Sequence, residues 1–403
     1  MWNKRSFGFN GQTFFMKTIL LPLLMIVGLQ SFVHAQPSYR YRVPRPKPIY
    51  YHPNYEKQTI QIALLLDVSN SMDGLIEQAK SQLWNLVLTT GKLRCGSISP
   101  NVEIAVYEYG RPTNSIRKGF VRQLTPFTRN LDLISQILFN IRTNGGEEYC
   151  GQAIYQALDE LYWTNNPNDY KVIFIAGNED FRQGNIQYRT ACSWANRKGI
   201  TVNTIYCGDY QQGIREHWNL AAECGNGSYS SINQNLIIDE MPTPYDDEII
   251  SLNEQLNQTY LSYGRNGKSA ATAQAMADRQ NKSLNKSAAV KRTMAKSKQN
   301  IYNNADWDMV DKSNEDEAFL SKVDRRELDD SLQGKSDTEI KRIVKQKSND
   351  RKIIQQKIAE KSVLREQFIA AAHKNNKNES TLETEMEKII LNQAARFKMK
   401  PTE

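Results

Sequence analysis

Residues 59 to 66 read Thr-Ile-Gln-Ile-Ala-Leu-Leu-Leu, a run that ends with no polar face at all. A strand with one side in water alternates apolar and polar residues. A run that is apolar at successive positions belongs in the middle of a parallel sheet, covered by helices on both faces. Lys171-Val-Ile-Phe-Ile-Ala176 repeats the pattern. Parallel strands need crossovers, and residues 75–88 supply one: Leu75, Ile76, Ala79, Leu83, Leu86 and Val87 recur at helical spacing. Further strands are predicted over 102–109, 120–124, 201–206 and 228–232, and further helices over 131–141, 152–162, 187–197, 214–222 and 247–261. The expectation is an α/β domain over residues 59–262: Rossmann-like, doubly wound, with a mainly parallel sheet.

The flanks differ in character. Lys17, the apolar run from Ile19 to Val27 and Val33-His34-Ala35 form the charged, apolar and small-residue parts of a secretory signal, so residues 1–35 are expected to be cleaved after Ala35. The apolar run is short for a membrane span. Residues 36–58 are rich in Pro, Tyr and Arg and read as a linker. Beyond Gly264 the chain turns polar. Ile340, Ile343, Val344, Ile354, Ile358, Phe368 and Ile369 make an interrupted stripe, and Ser380 with Glu383 a capping box. Residues 263–403 are therefore expected to be helical, either packed on the α/β domain and on each other or acting as a coiled-coil or partner-binding arm. The net charge of +8 mixes Lys and Arg with acids; with no aromatic-plus-basic signature, nucleic acid is not an expected partner.

Asp67-Val68-Ser69-Asn70-Ser71 follows the central strand directly and precedes a helix. Ligand sites in open α/β sheets lie outside the carboxyl ends of the strands. A hard cation such as Mg²⁺ takes oxygen ligands and keeps several waters. Two hydroxyls and a carboxylate suit it, and with little protein charge on the metal it can still accept a carboxylate from a partner. The competing reading is that Ser69 and Ser71 cap the next helix.

The run resembles the first part of the metal-ion-dependent adhesion site of the von Willebrand factor A domain family, over roughly residues 58–261. The resemblance implies a binding module that recognises a protein ligand, commonly with a divalent metal, in adhesion or complex assembly. The loop from Asn144 through Glu147-Glu148-Tyr149-Cys150 resembles the family's second motif, and the strand ending at Ala176 the one before its third. Two departures stand out: Cys150 falls where the family has a metal-binding Thr, and Gly177 where it has an Asp. The metal residues carried forward are Asp67, Ser69 and Ser71, with Glu148 and Glu179, or Asp180, as replacement oxygen donors for Mg²⁺, Mn²⁺ or Ca²⁺. A degenerate site that binds without metal is the other reading.

Of the five cysteines, Cys150 and Cys207 are expected at the carboxyl edge, where they either pair and brace the site loop or stay as small buried thiols. No GxSxG, Walker loop or HExxH occurs, and catalysis is not expected; a thiol activity at Cys150 is the enzyme alternative. The functional expectation is an exported, bacterial, periplasmic or extracellular binding protein without a transmembrane helix. The alternative is an envelope assembly scaffold working through its helical C-terminal region.

Overall fold

The computed structural model describes residues 57–233, 241–373 and 382–402. The expected signal, most of the Pro-rich stretch and the Ser380–Glu383 capping box lie outside the described residues.

The apolar run forms β1 (Thr59–Asp67), buried at every position but the first. One 3₁₀ turn (Asn70–Met72) leads into α1 (Asp73–Lys92). The order then continues β2 (Leu93–Arg94), β3 (Asn101–Tyr109), β4 (Arg122–Thr128), α2 (Leu131–Asn140), α3 (Cys150–Glu160), β5 (Tyr170–Gly177), α4 (Tyr188–Arg197), β6 (Thr201–Cys207), α5 (Tyr210–Arg215), α6 (Trp218–Cys224) and β7 (Tyr229–Ile232). Six strands make one sheet in the order β4-β3-β1-β5-β6-β7, parallel except for β4 at the edge. The chain leaves β1 for β3 on one side and later returns to β5 on the other. The switch point, where such sheets bind ligands, is the carboxyl end of β1.

Alternation along β1 divides the core. Ile60, Ile62, Leu64 and Leu66 meet α1 through Leu75, Leu83, Trp84 and Val87. Ala63 and Leu65 meet Ala153, Ile154 and Ala157 of α3 on the opposite face.

Two elements depart from the sequence pattern. The single helix expected over 214–222 is split, because His217 adopts φ +69, a left-handed conformation that ends α5. Beyond the break the Trp218 indole donates to the Glu179 carbonyl (2.8 Å), with the ring edge-on to Phe181. The strand expected over 120–124 starts only at Arg122, since Gly119 and Phe120 both take positive φ.

The C-terminal helices are α7 (Asp246–Asn257), α8 (Gly267–Leu284), α9 (Lys286–Lys296), α10 (Met309–Glu315), α11 (Asp337–His373) and α12 (Leu382–Ala394), followed by β8 (Lys400–Pro401). Val290, Met294 and Ala295 of α9 and Leu382, Met386, Ile389 and Ile390 of α12 lie in the same apolar cluster as β1 and α1. The last strand, β8, pairs antiparallel with β2. On α11 the expected stripe is buried at Ile340, Val344, Ile354 and Ile358, whereas Phe368 stands exposed. No described helix is long and apolar enough to cross a membrane.

Buried ions fasten these helices. Arg292 of α9, 1% exposed, bonds Asp132 of α2 (2.8 Å) and Asp278 of α8, and its guanidinium lies over the Trp84 ring of α1. Lys296 adds a second cation to Asp278 (2.9 Å). Burial alone would raise the Asp278 carboxyl, but Arg292 and Lys296 overcome it and hold the group well below its ordinary range. Arg351 of α11 likewise reaches Asp308 and Asp311 (2.7 Å each) and donates to the Thr259 carbonyl.

Removing one partner of a buried pair strands the others, at a cost of about 3–5 kcal/mol. Arg292→Leu is therefore expected to lower stability by that order in urea unfolding. A depressed carboxyl contributes stability above its unfolded pKa of about 4 and loses it as the pH falls below that value. The wild type should lose this share on acidification, and Arg292→Leu should show a shallower acid loss.

Candidate functional site at the carboxyl end of the central strand

Asp67 is the last residue of β1 and is 0% exposed. The register sets it opposite Tyr109 of β3, while its neighbour Leu66 lies opposite Ala176 of β5. Its Oδ1 accepts the Ser69 amide (2.8 Å), but Oδ2 is buried with no hydrogen-bond partner. Burial pushes this carboxyl up to about 7, with the charges of Glu148 and Glu179 adding to the rise.

Two glycines make room for it. A Cβ on Gly110, whose φ is +91, would stand 2.9 Å from Asp67 Oδ1. A Cβ on Gly177 would stand 2.4 Å from the Tyr109 hydroxyl and 2.9 Å from Asp67 Oδ2. That hydroxyl is fixed, donating to the Ala176 carbonyl (2.9 Å).

Ser69 and Ser71 do not serve as helix caps. Ser69 precedes the 3₁₀ turn without a side-chain cap bond, and the residue before α1 is Met72. Instead the two hydroxyls approach each other to 3.3 Å. Asn178 donates from Nδ2 to Ser71 Oγ (3.2 Å), and Ser71 is exposed. The 144–148 loop is tied to this turn by backbone bonds, from Asn144 N–H to the Val68 carbonyl (2.8 Å) and from Asn70 N–H to the Gly145 carbonyl (3.3 Å). That brings Glu148, itself buried, to the Ser69 side chain. Burial raises Glu148 to about 7, and the Glu179 charge contributes.

Asp67, Ser69, Ser71 and Glu148 thus converge. Glu179 is half-buried, is held by Gln183 (3.3 Å), and lies close enough to repel both other carboxylates. Asp180 is committed elsewhere: Arg182 (2.7 Å) holds its carboxyl below the usual range. Among the described residues no three His, Cys, Asp or Glu side chains form a metal-holding group by themselves, so a cation here would draw on hydroxyls as well. Sequence reasoning missed Asn178 and Tyr109. The first had a signal in its position just past the β5 tip; the second became visible only through the β1–β3 register.

Of the two readings of Cys150 and Cys207, the bridge is absent and both are buried thiols. All five thiols are free, and these two belong to opposite apolar layers with the sheet between them. Cys150 Sγ faces the Tyr109 hydroxyl (3.8 Å), and burial pushes its thiol well up, the reverse of an activated nucleophile.

The sequence matches no protein-family model and no curated protein. Solved structures similar to the chain include an aerotolerance-related membrane protein from Bacteroides fragilis (18% identity over 44% of this chain and 93% of that one, TM-score 0.31). BatB from Bacteroides thetaiotaomicron is 18% identical over 43% of this chain and 90% of that one, with a TM-score of 0.33. A von Willebrand factor type A protein from Catenulispora acidiphila is 14% identical over 44% of this chain and 39% of that one, also with a TM-score of 0.33. These scores are low. The chain's own strand order, with Asp67-x-Ser-x-Ser at the tip of the central parallel strand, decides the fold. The sheet domain is von Willebrand factor A-like.

Within such a domain the glycine at 177 has a local cause. Asp67 and Tyr109 already fill the space that a side chain there would need. Gly177→Ala is expected to cost about 1–3 kcal/mol through overpacking. Tyr109→Phe removes the nearest obstructing atom, so the double variant should recover part of that loss. A double-mutant cycle in urea checks the coupling; strict additivity would contradict it.

Proposed function

We propose that the A-like domain binds a protein ligand through the surface around Asp67, Ser69, Ser71 and the 144–150 loop, with a divalent cation, Mg²⁺ or else Mn²⁺ or Ca²⁺, completing that surface. The observation that carries this reading is Asp67 Oδ2, a buried carboxylate oxygen with no partner in the protein. A buried charge left unpaired is costly, and a bound cation removes the cost. The donors fit a hard ion. Asp67, Ser69, Ser71 and Glu148 offer only oxygens, and Glu179 stands by as a further carboxylate. Bound there, the cation would supply a Lewis-acidic position for an acidic side chain of the partner. Glu148 adds charge beside Ser69, which would temper that appetite relative to a site built on hydroxyls alone. The exposed Ser71 gives a ligand access to the rim. Export to the periplasm or cell exterior, expected from residues 1–35, belongs to the same proposal.

Isothermal titration of the full chain with Mg²⁺, Mn²⁺ and Ca²⁺ tests the metal. The wild type should give saturable heat with at least one ion, and Asp67→Ala, shown folded by circular dichroism, should give none. Equal heats for the two proteins, or none from the wild type, would remove metal dependence. Chelator-sensitive capture of a protein from envelope extract by the wild type, lost in Asp67→Ala, is the matching expectation for the ligand.

A further inference from the structure

We infer that Cys192 and Cys224 form a dithiol that closes into a disulfide, linking α4 to α6, by exchange with a small-molecule or protein disulfide. Both helices lie on the same face of the sheet and pack against each other, and the two thiols are close enough to interact electrostatically. Each thiol also faces the opposite helix: Cys192 Sγ lies 3.5 Å from the Ala221 carbonyl, and Cys224 Sγ 4.0 Å from the Arg189 carbonyl. The approach is held from outside the pair. Asn196 of α4 donates to the Cys224 carbonyl (2.7 Å), and Asn226, just past α6, donates to Asn196 Oδ1 (3.0 Å).

Their exposures divide the chemistry. Cys224 is half-exposed, whereas Cys192 is buried. The Cys224 thiolate attacks one sulfur of the donor disulfide, forming a mixed disulfide and releasing the first donor thiolate, which takes up the proton Cys224 lost. The Cys192 thiolate then attacks Cys224 Sγ, the new S–S bond forms, and the second donor sulfur leaves with the proton from Cys192. Two protein thiols are oxidised and one donor disulfide is reduced to two thiols. Burial and the neighbouring Cys224 charge both push the Cys192 thiol up. Burial makes Cys192 the slower thiol, so it acts only once Cys224 is held beside it as the mixed disulfide.

The link would brace the site from behind. Glu216, which closes α5, and Trp218, the first residue of α6, hold the 179–181 turn through the Phe181 amide (2.9 Å) and the Glu179 carbonyl (2.8 Å). The other three cysteines have no comparable neighbour: Cys150 and Cys207 face opposite layers, and Cys95 lies beyond α1.

The test is native, full-length reduced protein treated with glutathione disulfide, alkylated and digested without reduction. Mass spectrometry should find the Cys192 peptide joined to the Cys224 peptide. Cys192→Ser, or Cys192→Ala if the serine variant folds poorly, should trap one glutathionyl group on Cys224, and Cys224→Ser should leave Cys192 unreacted. The urea midpoint should rise on oxidation in the wild type and stay put in Cys192→Ser. Wild-type protein that keeps glutathione on Cys224 while the Cys192 thiol remains free, or that reacts at neither residue, overturns the assignment.

Discussion

A carboxylate withdrawn from water must be bonded, neutralised or bridged to a cation, and Asp67 meets that demand only halfway. One oxygen takes the Ser69 amide and the other has no partner. Much of the nearby architecture follows from keeping that group where it is. Gly110 and Gly177 lack side chains because Asp67 would collide with them, and Tyr109 closes the third side with its hydroxyl locked to the β5 backbone. The group is also surrounded by charge of its own sign, from Glu148 and Glu179. Three acidic side chains gathered at a sheet's switch point, two of them raised to about 7, are a costly arrangement for a purely structural corner.

The helical region contributes to the site at one remove. The turn bearing Ser69 and Ser71 is fixed by β1 before it and by α1 after it. One side of α1 meets the sheet, and α9 and α12 share the apolar layer in which it lies. The Trp84 indole donates to Asn281 of α8 (2.7 Å), and Asn281 in turn donates to Ser135 of α2 (3.2 Å). Ion pairs at Arg292 and Arg351, and a third from Arg365 of α11 to Asp246 of α7 (2.9 Å), repeat the fastening with charges that are almost fully buried. Buried pairs of this kind add little net stability but penalise misplacement of the helices heavily.

The centre of the sheet was legible because β1 and β5 are buried on both faces and read as continuous apolar runs. The placement of Asp67 followed from chain order alone, since a residue just past a central parallel strand has one place to go. The convergence of Glu148 with Ser69 was readable only as a list of acids near a glycine-rich loop; backbone bonds between 144–145 and 68–70 bring it about, and nothing in residue identity announces them. The choice between a bridge and two buried thiols stayed open for a related reason. Cys150 and Cys207 share an edge in one dimension but lie on opposite faces in another, and a strand-end count cannot see which face a helix-borne residue covers. The αL break at His217 went unread because apolar residues at helical spacing continue across it from Ile214 to Ala222.

Crystals grown or soaked with Mn²⁺ and measured at its absorption edge give the most direct check. The account predicts an anomalous peak at the tip of β1, within ligation distance of the Ser69 and Ser71 hydroxyls and beside the Asp67 carboxylate. Well-ordered density for those three side chains with no peak among them, or a peak held by other residues, would contradict it.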